Sequence, residues 1–200
     1  VAPTVCDASS DCLSRPVDIQ RHGILYACAQ KNAGPAGVTI VVIRKDLLNR
    51  SRDDLPGYLN YRRHADGNSM YNTPPTFAIY IADLVCRWLE SEMGGLDQMA
   101  QFNQEKSSLL YTAIDEMSDM YQGHAARSAR SHMNVTFRLP SDNLTDEFVR
   151  LAEQQGLTNL RGHRSVGGIR ASIYNAMPHA GVLALRNFME SFYTQNRSSK

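Results

Sequence analysis

No sign of charge dominates this chain. Its 200 residues carry 21 Lys and Arg against 20 Asp and Glu, a formal net charge of +1. That balance gives no electrostatic case for nucleic acid or an anionic membrane surface as partner. Long hydrophobic runs are missing too: the longest, "GVTIVVI" at residues 37–43, is far too short to span a bilayer. Cysteine is scarce, at four residues (Cys6, Cys12, Cys28 and Cys86) with no CxxC pair. A disulfide framework or a zinc site is therefore disfavoured, no metal is expected, and a reducing cytoplasm fits best. The opening "VAPTVCDASSD" reaches acidic residues too soon for a signal peptide. Repeats and low-complexity segments are also missing. At 42% hydrophobic and 20% charged residues, the composition is that of an ordinary globular protein, one large domain or two small ones.

What is present reads as alternating strands and helices. "PTVCDASSD", "GILYACAQK" and "GVTIVVIRKD" are apolar runs of strand length, the third rich in β-branched residues. Their continuous hydrophobicity predicts a mainly parallel sheet covered on both faces, as in α/β proteins. Residues 49–72 are polar and irregular and read as a long functional loop. Thr73 is the predicted N-cap of a helix entered through Pro74 and Pro75. Phe77, Ile81, Leu84, Val85, Trp88 and Leu89 then recur at helical spacing until Gly94–Gly95. A second helix over roughly 96–120 carries Leu96, Met99, Asn103, Leu110, Ile114 and Met117 on one stripe. Beyond it, "HMNVTFRLP" reads as strand, "NLTDEFVRLAEQQG" as helix with Gly156 as its stop, "ASIYNAMP" as strand and "HAGVLALRNFMESFYTQ" as helix. The organisation expected is residues 1–93 as the C-terminal part of a larger domain and 94–200 as a small α+β domain.

Lys31 stands between the second apolar run and a Gly-Pro turn. A lysine there can simply snorkel its amine to water. The alternative is a desolvated amine with a lowered pKa, able to attack an aldehyde and form an imine. Such an amine belongs with pyridoxal phosphate, whose ring nitrogen needs an anion beside it. Asp7 ends an apolar strand and could supply that anion, although Ser9, Ser10 and Asp11 after it suit a turn cap equally well. Spacing alone leaves both readings open.

Four segments in order, "CDASSD…LSRPVD", "YACAQKNAGPAGVTIVVIRKDLL", "MYNTPPTFAIY" and "GHRSVGGIRASIYNAMP", resemble the phosphoserine aminotransferases, class V enzymes of the aspartate-aminotransferase fold (fold type I). The resemblance runs over essentially the whole chain. It implies that Lys31 carries pyridoxal 5'-phosphate covalently, that Asp7 faces the ring nitrogen, and that Gln30 helps hold the cofactor phosphate. It implies that Asn72 and Thr73 reach the phosphate of the neighbouring subunit, making a homodimer with shared active sites. His163 and Arg164 would grip the distal anion of the substrate, and Arg170 its α-carboxylate. A guanidinium fork suits both jobs. The plainer reading makes Arg164 and Arg170 surface ion-pair partners and His163 a structural histidine.

The implied reaction moves an amino group from L-glutamate to 3-phosphohydroxypyruvate, with 4-phosphohydroxythreonine as a further substrate to consider. Members of that family also carry a substantial N-terminal region that these residues do not match. The chain therefore reads as a fragment, or as one that pairs with a separate N-terminal piece. The rival reading is a non-catalytic folding or dimerisation module. An alanine–glyoxylate aminotransferase is disfavoured by "GHR", which suits a substrate with a distal anion.

Overall fold

The computed structural model describes residues 2–197. The chain forms two compact units, Val1–Asp97 and Gln98–Lys200, and each is described by itself.

In the first unit, strands β1 (Val5–Asp7), β2 (Ile24–Cys28) and β3 (Thr39–Ile43) form one sheet in the order β1-β2-β3. β1 and β2 run parallel, with Asp7 opposite Tyr26. The connection through residues 8–23 is long enough for the crossover that parallel pairing requires. Gly23 lies where the chain re-enters the sheet, and a Cβ there would stand 2.6 Å from that of Pro3. β2 and β3 are antiparallel, so this part of the α/β sheet holds one parallel and one antiparallel pair. Only a Gly-Pro turn separates them, with no crossover helix to carry the chain back. Nor is β3 covered on both faces: Val41 and Val42 are exposed. What this unit buries is largely alanine, including Ala8, Ala27, Ala29, Ala33 and Ala78, together with Leu25 and Leu89.

Segment 49–72 is more ordered than its composition suggests. After the short helix α1 (Lys45–Leu48), a 3-10 turn at Gly57–Leu59 leads into α2 (Tyr61–Asp66). Asn60 is buried and organises the segment. Its Oδ1 accepts from the Arg62 and Arg63 amides and the Ser51 hydroxyl, while its Nδ2 donates to the Arg52 carbonyl. The next helix, α3 (Thr76–Ser91), begins after Pro75, which holds the N-cap position without a side-chain cap. Thr73 is thus not the cap, because the helix starts beyond both prolines. The apolar stripe of α3 is helical as expected, yet Phe77 and Leu84 are exposed and only Ala78 and Leu89 are buried.

In the second unit, α4 (Gly95–Glu116, its first turn crossing the boundary), α5 (Asp142–Gln154) and α6 (His179–Arg197) accompany a sheet of β4 (Gln122–Gly123), β5 (Asn134–Arg138) and β6 (Ile169–Ser172), antiparallel throughout. The α4 stripe buries Met99, Asn103, Leu110 and Ile114. Ser141 caps α5 by accepting from the Leu144 amide, and Gly156, at φ 79°, takes the left-handed position just past its end. Phe148 lies at the centre, its ring 4.9–5.9 Å from those of Phe137, Phe188 and Phe192 in edge-on arrangements. β6 is shorter than the strand expected over "ASIYNAMP". After Ser172 the backbone turns, and the carbonyls of Ile173, Tyr174 and Met177 converge on the buried Lys106 ammonium at 2.8–3.2 Å.

Candidate active site

Asp7 lies at the end of β1, and its carboxylate is fixed from within its own loop. Oδ1 accepts the Ser9 amide at 2.9 Å and the Ser9 hydroxyl at 2.5 Å. The Ser9 hydroxyl oxygen in turn accepts the Cys28 amide at 3.0 Å, tying the end of β1 to the end of β2. These Ser9 hydrogen bonds are the main reason the Asp7 carboxyl is held below its ordinary range. A bond from the Tyr26 hydroxyl and the charge of Lys31 act in the same direction. Asp7 is thus an anion at neutral pH, and its negative charge pushes the Tyr26 hydroxyl up.

Lys31 sits on the turn that follows β2. Ala29 starts this turn by donating to Val38, and its carbonyl receives the amides of Ala33 and Gly34 at 3.0 and 2.8 Å. Ala29, Asn32 and Ala33 face inward, leaving Gln30 and Lys31 exposed. The desolvated amine considered from the strand context is therefore not found here, because Lys31 stands beyond the end of β2 on the outer side of the turn. Its Nζ donates to the Ser10 hydroxyl at 3.3 Å, in the same loop that presents Asp7. The structure thus brings Lys31 and Asp7 together. Asn72 and Thr73 precede α3, where the Asn72 amide donates to the Thr73 carbonyl at 3.0 Å. Among the described residues, no hydrogen bond links either to Asp7 or Lys31.

In the second unit, residues 162–168 form a tight loop before β6. The Gly162 amide donates to Gly168, and the His163 carbonyl accepts from Val166 and Gly167, all at 2.8–2.9 Å. Gly167 and Gly168 hold φ of 74° and 70°, and a Cβ on Gly162 would stand 2.0 Å from the Gly167 carbonyl oxygen. His163 Nδ1 lies 2.7 Å from the Ser165 hydroxyl, and Arg164 is exposed. Arg170 is on β6 opposite Thr136, also exposed. Among the described residues neither arginine is ion-paired, unlike Arg161, which pairs with Asp146 at 2.7 Å. Two cations left free beside a glycine-rich turn suit an anionic ligand better than the surface ion-pair reading. His163 and Arg170 both line a cavity of about 180 Å³.

Tyr26 is a residue that sequence reasoning missed, since a tyrosine in an apolar strand reads as core. No group of three or more His, Cys, Asp or Glu suited to a metal occurs among the described residues, and no helix there is long and apolar enough to cross a membrane.

The class-V aminotransferase family model matches residues 2–185. A phosphoserine aminotransferase of Rhodopirellula baltica is 57% identical over 97% of this chain and 52% of its own length. The solved phosphoserine aminotransferase of Bacillus circulans subsp. alkalophilus superposes with a TM-score of 0.91 at 50% identity, covering 96% of this chain and 53% of that one. A pyridoxal-phosphate-bound phosphoserine aminotransferase of Trichomonas vaginalis gives 0.87 at 43%, over 94% and 54%. The chain spans about half the length of the relatives it matches.

Proposed function

Since this chain belongs to the class-V aminotransferase family, we propose that it carries the lysine-bearing part of a phosphoserine aminotransferase. The reaction is transfer of the amino group between L-glutamate and 3-phosphohydroxypyruvate, giving O-phospho-L-serine and 2-oxoglutarate. 4-Phosphohydroxythreonine, with the same distal phosphate, is a further substrate of this reading. The cofactor is pyridoxal 5'-phosphate, which supplies an aldehyde for amine exchange and a ring that accepts electrons from the substrate α-carbon.

The observation that carries this reading is that Lys31 reaches, through the Ser10 hydroxyl, the loop that presents the Asp7 carboxylate. A carboxylate kept ionised by Ser9 suits a protonated pyridine nitrogen, and an amine within reach of the same loop suits an imine-forming lysine. Lys31 Nζ would hold the cofactor through its carbonyl carbon and, once released, take the proton from the substrate's α-carbon as general base and deliver it as general acid to the cofactor's former aldehyde carbon. Gln30, exposed on the lysine's own turn, would help hold the cofactor phosphate. Asn72 and Thr73 reach the phosphate of a second subunit in this reading, making a homodimer with shared sites. Arg170 takes the α-carboxylate, and His163 with Arg164 the distal phosphate or carboxylate. The division between cofactor-binding and small domains is put at 93/94, and a cytoplasmic location at the reducing potential that four free thiols suit.

The test is to add pyridoxal phosphate to the protein, reduce with borohydride and map the adduct by mass spectrometry. A yellow species whose reduced adduct sits on Lys31, and which is lost in Lys31→Ala, supports the assignment. An adduct spread over surface amines, or unchanged in that variant, overturns it in favour of a non-catalytic module.

A further inference from the structure

Lys106 of α4 is fully buried. Its Nζ donates to the carbonyls of Ile173, Tyr174 and Met177, in the turn between β6 and α6, at 3.2, 2.8 and 3.1 Å. The Phe102 ring presents its face to the same nitrogen, with the centroid 4.7 Å away. Burial is the one cause that pushes this amine down, to about 8, and among the described residues no carboxylate acts on it. At neutral pH it is therefore still an ammonium, faced by carbonyl dipoles and an aromatic ring where a buried charge would ordinarily meet an acid.

The turn holds those carbonyls in place by bonds of its own. The Ile173 amide donates to the Met133 carbonyl, and the Met177 amide to the Tyr174 carbonyl, both at 2.9 Å. Asn175, between them, is buried, and its Oδ1 accepts from Nδ2 of Asn103, one turn before Lys106 on α4, at 2.8 Å. Three carbonyl oxygens aimed at one point repel each other unless positive charge sits among them. Carbonyl oxygens arranged this way replace the hydration shell of a monovalent cation, and an ammonium, close to potassium in size, fills such a place with three donors. We propose that the turn at residues 173–177 is a monovalent-cation site whose resident ion is the ammonium of Lys106, and that a free alkylammonium takes its place when the side chain is cut back. The site lies within the second unit and does not depend on the roles given to Asp7 and Lys31.

Lys106→Ala removes the atoms of n-propylammonium, which is the probe. It is titrated into the ¹⁵N-labelled variant at fixed ionic strength while the amides of Asn175, Met177 and Gly181 are followed by NMR. Saturable shifts toward the wild-type positions are expected. 1-Propanol, of the same shape without the charge, should bind about tenfold more weakly or worse, because charge-assisted hydrogen bonds are lost. Lys106→Met, whose own stem fills the channel, should not respond to either. Equal binding of the alcohol and the ammonium by Lys106→Ala would overturn the inference, leaving only an apolar slot for the stem, and so would the lack of any saturable response. The wild type supplies a second measurement should Lys106→Ala not fold. With lysine Nζ labelled with ¹⁵N, Lys106 should give an ammonium signal at neutral pH that exchanges with water far more slowly than those of the exposed Lys31 and Lys45. A neutral amine there, or exchange as fast as theirs, would overturn the inference by itself.

Discussion

The buried amine of this protein is Lys106 rather than Lys31. Its side chain is wholly inaccessible, and its ammonium serves the carbonyls of Ile173, Tyr174 and Met177. An ammonium has three donors, so the three carbonyls match it one for one. Lys106→Met keeps the apolar stem but leaves those acceptors without a donor. The expected loss is at least about 2 kcal/mol, read from denaturant unfolding. The same residue gives a pH signature. Burial lowers the amine from 10.5 to about 8. Between about pH 8 and 10.5 the folded state therefore binds fewer protons than the unfolded one, and stability contributed by this group rises with pH across that window. Wild type should gain on Lys106→Met there by up to about 1.4 kcal/mol per pH unit, and a flat difference would show that the amine stays charged. None of this was legible in "NQEKSS", where a lysine among polar residues reads as solvated; its partners are 67–71 residues away. Asp7 and Lys31 could be named as candidates, because their motifs lie in short continuous segments.

Among elements, the helices with an apolar stripe were readable and the reversal of β3 was not. Periodicity marks a helix wherever it packs, which is why α4 and α5 lie where their stripes put them. Direction in a sheet depends on what lies between strands, and the turn that holds Lys31 reverses β3, which hydrophobicity alone does not reveal. Thr73 failed as a cap for a local reason, since the two prolines after it carry the extended backbone three residues further. Segment 49–72 looked structureless because its organiser is one buried amide. Asn60 caps α2 and ties it to Ser51 and Arg52, so Asn60→Ala should cost about 1–2 kcal/mol. Amide exchange across residues 51–67 should quicken, while exchange in β2 stays unchanged. Uniform acceleration throughout the first unit would mean that Asn60 supports the unit as a whole rather than this segment.

At the scale of the whole molecule, the two units are built from different material. The first buries mostly alanines, whereas the second closes around Phe137, Phe148, Phe188 and Phe192 with Tyr121 donating to the Met189 carbonyl at 2.8 Å. Every residue of that aromatic cluster belongs to Gln98–Lys200. The single tryptophan, Trp88, lies on α3 in the first unit, which makes tryptophan fluorescence its reporter, while amide exchange in β5 reports on the second. Phe148→Ala removes the ring at the centre of four aromatic contacts, and truncating a buried phenylalanine costs about 3–5 kcal/mol. The unfolding free energy read from amide exchange in β5 should fall by that amount, with the fluorescence transition unmoved. Equal displacement of both would show that the two cores unfold as one cooperative body. The alanine-rich unit carrying Asp7 and Lys31 would then draw its stability from the aromatic unit carrying Arg164 and Arg170.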